Sequence, residues 1–124
     1  MTFRVLTLIL CSVSLSALAQ VAFKLGLSSH TVRTALAEEG PAGAVLTFGT
    51  NPAILSGLAL YGVGTLLWLN ALAKIELSQA YPFVGLGFVL TAFLGYALFH
   101  DTLSPLRLTG TAIVIAGIVL VARG

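Results

Sequence analysis

The stretch SVSLSALAQVAFK, residues 12–24, decides how the chain is read. Ser12, Ser16, Gln20 and Lys24 recur every four residues, and almost everything between them is apolar or small. On an α-helix that spacing puts all four on one face, drifting slowly about the axis. A helix this apolar, with a polar stripe ending in a lysine, must turn the stripe toward a partner helix or a watery path. Hydrocarbon cannot satisfy those groups.

Outward from the stripe, Arg4 precedes the apolar run Val5 to Leu10, and Ala17-Leu18-Ala19 stands before Gln20. That is the outline of a secretory signal with an A-x-A cleavage site. Apolar character nevertheless continues through Val21, Ala22, Phe23, Leu25 and Leu27, giving about 20 residues, the length that crosses a bilayer. Residues 4–26 are therefore expected as a first transmembrane helix.

The whole chain has the same character. It is 58% hydrophobic and 8% charged, with mean hydropathy +1.07, where a soluble domain carries about 25% charged residues. The net charge of +2 comes from six scattered Lys and Arg residues. They form no patch and nothing beside them stacks bases, so no nucleic-acid partner is expected. Cys11 is the single cysteine, which excludes an internal disulfide and reads as a small hydrophobe.

Residues 28–51 form a long connection. Ser29 is placed to cap a short helix over 30–39, which Gly40-Pro41 would end. Glu38 and Glu39 are adjacent, so on a helix they point apart and read as a solvated face. Asn51-Pro52 supplies a cap and a first-turn proline for a second helix to about residue 73. On it Gly57 and Gly64, two turns apart, mark a face open to close backbone approach. Trp68 and Asn70 read as an interfacial anchor and a cap-like polar group in preference to ligand contacts.

A short turn at Lys74-Ile75-Glu76 forces the third helix, 78–99, back alongside the second. Pro82 lies in its first turns, where it shapes the entry or kinks the helix. Gly87, Thr91 and Gly95 recur every four residues, a groove for a neighbouring helix. His100-Asp101 ends it, more simply a solvated pair than a proton relay. Ser104-Pro105 starts a fourth helix to about residue 122, with Ala112, Ala116 and Gly117 on it. The expectation is an all-α membrane protein, one domain over 1–124, with four transmembrane helices at 4–26, 52–73, 78–99 and 105–122. No nucleophile–base set, phosphate loop or metal cluster stands out, so neither an enzyme nor a cofactor or metal site is expected.

With four spans, Arg4, Lys74 and Arg123 fall on the side of the termini, and Lys24, Arg33 and Arg107 on the other. Three against three gives no orientation bias. Either a second subunit sets the orientation or the chain inserts both ways. Four thin helices also enclose little of a path alone. An antiparallel homodimer, or a heterodimer with a related subunit, is expected.

The block from Leu66 to Val121, with SQAYP at 78–82 and DTLSPLR at 101–107, together with AQVAFKLG at 19–26, resembles the four-helix members of the drug/metabolite transporter superfamily. The small multidrug resistance exporters share this layout but carry a proton- and cation-binding glutamate where Gln20 stands, and a tryptophan where Val84 stands. The helix-1 glutamine, the nearby lysine and A-Y-P are closer to small subunits of the aminoarabinose-phosphoundecaprenol flippase type. That resemblance implies movement of a polyprenyl-phosphate-linked sugar across the inner membrane.

The residues agree in part. A lipid phosphate is complemented by a lysine with hydroxyl and amide donors nearby. The candidate substrate-binding residues are thus Lys24, Gln20, Ser16, Ser12 and Tyr81. Snorkelling to the headgroups is the plain alternative for Lys24, and helix packing for Ser12, Ser16 and Tyr81. Gln20 is hardest to set aside, since its amide has four hydrogen-bonding sites to satisfy. Two other functions stay open. One is a small-cation or drug exporter, which lacks an intramembrane carboxylate; the other is a non-transporting scaffold subunit.

Overall fold

A computed structural model describes residues 2–124, and it is helical almost throughout. The elements are α1 (Phe3–Leu27), α2 (His30–Gly43), α3 (Val45–Thr50), α4 (Pro52–Leu72), α5 (Leu77–Ala80), a 3₁₀ turn (Tyr81–Phe83), α6 (Val84–Phe99) and α7 (Pro105–Arg123). Four segments are long and apolar enough to cross a membrane: Phe3–Leu27, Pro52–Leu72, Leu77–Phe99 and Pro105–Arg123. The fold is all-α, and the protein is a multi-pass membrane protein.

Local chemistry sets the starts. The Thr2 hydroxyl accepts from the Val5 N–H at 3.3 Å, the Ser29 hydroxyl from the Val32 N–H at 3.3 Å and the Ser104 hydroxyl from the Arg107 N–H at 3.2 Å. Asn51 Oδ1 accepts from the Ile54 N–H at 3.1 Å. Each satisfies one of the donors that a helix start leaves unpaired. Pro52 and Pro105 follow two of these caps, where a missing N–H costs nothing.

Residues 28–51 differ from the expected loop with one short helix. They hold two helical segments, α2 and α3, with the backbone breaking at Gly40, whose φ of 74° lies in the left-handed region. Pro41 cannot extend the helix before it but opens the next turn, so the helix from His30 ends at the pair, as expected, and a second one resumes directly after it. The Asn51 amide donates to the Ser29 hydroxyl at 3.4 Å, tying the two ends of the connection together.

The core sits toward the end that carries the termini. Val5, Ile9 and Val13 of α1 meet Ala71, Phe83 and Ile118, with Trp68 and Leu86 packed against them. Toward the other end, α1 stays on α4 through Ala19 and Gly26, both buried. A methyl group on Gly57 would lie 2.6 Å from Phe23 Cδ1 and 3.1 Å from the Ala19 carbonyl oxygen. On Gly64 it would lie 3.2 Å from the Ser12 carbonyl oxygen. The two glycines thus receive α1, the close approach expected of them.

The expected Gly87–Thr91–Gly95 groove is used differently. Gly87 faces Val13 at ordinary contact distance, Gly95 lies under the Asp101 carboxylate, and Gly85 instead abuts Val114 and Ile118 of α7. Asp101 reaches back because His100 takes a left-handed conformation, φ 57°, and the Asp101 N–H donates to the Gly95 carbonyl at 3.1 Å. This closes the α6 end as a reversing cap, so no helix is needed over Gly95.

Candidate functional site

The polar stripe does not stay on one surface. Four residues turn a helix through about 400°, so each step of the stripe rotates it about 40° further around α1. Ser12 is accordingly 4% exposed in the α1–α4 seam, where its hydroxyl donates to the Gly64 carbonyl at 2.6 Å. Ser16 is half-buried, while Gln20 and Lys24 are exposed.

Between α1, α4 and α6 the stripe opens into a cleft of about 260 Å³ lined by Ser12, Ser16, Tyr61, Thr65, Trp68 and Tyr81, with Val13, Gly64, Val84 and Gly87 completing its wall. A second cleft of about 410 Å³ continues it along α1 and α6, lined by Ser16, Ala17, Gln20, Val84, Gly87, Phe88 and Thr91. The two share Ser16, Val84 and Gly87, so they form one path alongside the stripe. It exists because α1 follows α4 closely, while the α1–α6 side carries small residues at Ala17 and Gly87 and fills less space.

Four of the five residues singled out from sequence meet here: Ser12, Ser16, Gln20 and Tyr81. Tyr81 stands at the rim in the 3₁₀ turn, 62% exposed. Lys24 lines neither part. It lies one further step around the helix, about 6 Å along the axis beyond Gln20. Trp68, read from sequence as an interfacial anchor, lines the cleft and packs on the core.

Sequence reading missed Tyr61, Thr65 and Phe88, and took Thr91 for part of a packing groove. The first two, with Trp68, stand at i, i+4 and i+7, so a stripe on α4 facing that of α1 was present to be found. A larger cavity lies elsewhere. It is an open basin of about 990 Å³ at the ends of the spans, lined by Thr2, Lys74, Glu76, Ser78 and Gln79 among others. Its polar groups come from the chain ends, the turn at Lys74–Glu76 and the first residues of the third span.

What the cleft can do follows from its lining. Hydroxyls and an amide that both donate and accept stand beside aromatic faces within the apolar length of the spans. Such a surface suits a polar, uncharged group drawn out of water into a membrane.

These features define a small four-helix membrane protein with a polar cleft along its first helix. No protein-family model matches the chain, and no solved structure does. Among curated proteins, the uncharacterized protein y4nH of Sinorhizobium fredii is 36% identical over 84 residues, 67% of this chain and 71% of that protein. The probable 4-amino-4-deoxy-L-arabinose-phosphoundecaprenol flippase subunit ArnE of Pseudomonas aeruginosa is 38% identical over 69 residues, 56% of this chain and 59% of that protein. Its counterpart from Pseudomonas savastanoi is 33% identical over 66 residues, 53% and 58% of the two chains. The chain belongs to the family of y4nH and is homologous to the ArnE subunits, of which it spans rather less than two thirds.

Proposed function

We propose that the protein is a subunit of an inner-membrane flippase that carries a polyprenyl-phosphate-linked sugar from one leaflet to the other. The observation that carries this reading is the continuous polar cleft from Ser12 to Gln20, in a chain homologous to proteins named as flippase subunits. The sugar head crosses along the cleft while the isoprenoid tail remains in lipid. Ser16, Gln20 and Tyr81 exchange hydrogen bonds with it. Lys24, beyond the cleft on the same helix, pairs with the phosphate at one membrane face, as a point charge with three donors.

The working unit in this reading is a dimer of oppositely oriented chains, with this chain or a related one as partner. The three-to-three distribution of positive residues supports it, since neither orientation is preferred. Two such chains place a lysine near each leaflet. Gln20 cannot titrate, so this position does not exchange substrate for protons as a carboxylate would.

The test is transport of a fluorescent short-chain polyprenyl-phosphate sugar in proteoliposomes, comparing wild type with Lys24→Met. Methionine keeps an apolar stem and removes the charge. A lysine that merely snorkels is therefore replaced with little loss, while one that holds phosphate is not. The expected result is a fall in flux of about tenfold or more, the scale of one charge-assisted contact, with helicity unchanged. Equal flux in a well-folded variant would remove Lys24 from the path.

A further inference from the structure

A separate cleft lies on the next face of α6, beyond Phe88, where α6 meets α7. It holds about 390 Å³, and its walls are apolar, with Phe88, Val89 and Ala92 of α6 facing Val114 of α7. Its mouth carries two opposite charges, Asp101 and Arg107. Gly95 stands nearly two turns beyond Phe88, so the Asp101 carboxylate that lies over Gly95 is at the head of the row formed by Phe88 and Ala92. Among the described residues the two charges do not pair with each other. Arg107 Nη1 donates to the Thr102 carbonyl at 2.7 Å, which leaves the rest of its donor fork for another partner. We propose that this cleft binds a phospholipid of the bilayer whose head carries both a phosphate and a primary ammonium, a phosphoethanolamine lipid, with one acyl chain laid between α6 and α7.

The dimensions suit one leaflet. At the rise of a helix, Phe88 lies about 16 Å from the Phe99 end of α6, and Val114 about 14 Å from the Pro105 start of α7. The walls therefore run about 15 Å, half of a hydrocarbon core of about 30 Å. Asp101 lies outside the spans and Arg107 in the first turn of α7, both at headgroup level. A guanidinium is a planar donor fork suited to phosphate, and an ammonium has three donors for a carboxylate. Two opposite charges held apart at one mouth thus complement a head whose own charges are held apart. An anionic phosphoglycerol head satisfies Arg107 but is repelled by Asp101. A phosphocholine head brings a cation with no N–H to donate. The α7 helix also lacks contacts that an acyl chain supplies, since only Ile118 of it is buried. A polyprenyl tail far outruns a cleft one leaflet deep, so the occupant is a bilayer lipid, and the site stands apart from the flippase reading.

The experiment titrates delipidated full-length protein in detergent with three phospholipids that share the same acyl chains and bear phosphoethanolamine, phosphocholine or phosphoglycerol heads. Bound lipid is counted by native mass spectrometry. The phosphoethanolamine lipid is expected to bind about three- to fivefold more tightly than either of the others, the scale of an ion pair open to water. Asp101→Asn is expected to erase its lead over the phosphoglycerol lipid, and Arg107→Gln to weaken all three by a similar factor, about three- to fivefold. Equal binding of the three heads by wild type overturns the inference. So does an unchanged ranking in a folded Asp101→Asn protein, or undiminished binding in Arg107→Gln. Where Asp101→Asn fails to fold, the wild-type ranking and Arg107→Gln decide between them. Displacement of the bound phosphoethanolamine lipid by an equimolar amount of farnesyl phosphate would assign the cleft to the carried lipid, and that result also overturns the inference.

Discussion

Two glycine pairs in this molecule have the same spacing and opposite surroundings. Gly57 and Gly64 on α4 are seven residues apart and pressed against α1, where even a methyl group would meet Phe23 or the Ser12 carbonyl. Gly110 and Gly117 on α7 are also seven apart, yet a methyl group on either meets nothing within 4 Å. Seven residues are nearly two full turns, so both pairs mark one helix face. On α4 that face is filled from within the chain. On α7 it is empty, and it lies among exposed Ile113 and Leu120 on a helix with only Ile118 buried. A glycine kept inside a helix costs about 0.5–1 kcal/mol relative to alanine. In α4 close packing offsets that cost, and in α7 the single chain offers no such return. The α7 pair is thus the natural seam for the second subunit proposed above.

The comparison is broken most severely by filling the occupied seam. Gly64→Leu drives a side chain into backbone atoms of α1, which cannot swing aside. Overpacking of this kind typically costs about 1–3 kcal/mol and here should reach the upper end or exceed it. The expected result is loss of the α1–α4 pair, seen as a large drop in the denaturant midpoint in detergent. A near-native midpoint would mean that the two helices separate more readily than their contacts imply.

The same change on the empty seam should weaken assembly but not the subunit. A Cβ at Gly117 meets nothing within its own chain, so Gly117→Leu should leave the subunit at least as stable as wild type, with a gain of up to about 1 kcal/mol from replacing a helical glycine. Subunit association, measured by energy transfer between labelled chains in liposomes, should weaken about tenfold or more, the loss expected when a close helix contact is pushed apart. Association unchanged in Gly117→Leu would show that this face meets lipid and that the dimer forms elsewhere.

Much of this organisation is legible in the chain, for physical reasons that differ by region. The four spans follow from hydropathy and length, and their starts from Ser29, Asn51 and Ser104, because capping is chemistry local to a few residues. The α4 glycines could be read as a close-packing face, but their partner could not, since that depends on how α1 and α4 meet. Residues 28–51 were harder. Gly40-Pro41 signals a break, and whether a helix resumes after it depends on Ala44 being buried and on the Ser29–Asn51 tie. In the cleft, the stripe from Ser12 to Lys24 was visible as a repeat of four. Its rotation separates buried Ser12 from exposed Lys24, and which end is buried depends on where α4 lies against α1. Trp68 reads as an interfacial anchor because tryptophans near span ends so often face the interface; that it also lines the cleft is signalled by its register with Tyr61 and Thr65.

The smallest effect sharpens the comparison from inside the occupied seam. Ser12 supplies the buried side-chain hydrogen bond that joins α1 to α4, donated to Gly64 at 2.6 Å. Its removal should nonetheless be mild. The Gly64 carbonyl belongs to the helix ladder of α4, so Ser12→Ala leaves that oxygen with its backbone partner, and the lost hydroxyl leaves behind no unpaired donor. Interhelical hydrogen bonds within membranes average about 0.6 kcal/mol by double-mutant cycles, because the separated helices find other partners. The expected loss for Ser12→Ala is about that size, well below the loss for Gly64→Leu, and the hydroxyl's engagement with Gly64 keeps it from being a principal contact for the sugar. Flux of the polyprenyl-phosphate sugar should therefore stay within about twofold of wild type, a change worth less than that bond. A variant with near-native stability but flux reduced tenfold would reverse this assignment. It would make Ser12 a substrate contact whose bond to Gly64 breaks when the cleft is occupied, and it would extend the working path one full turn deeper into the seam.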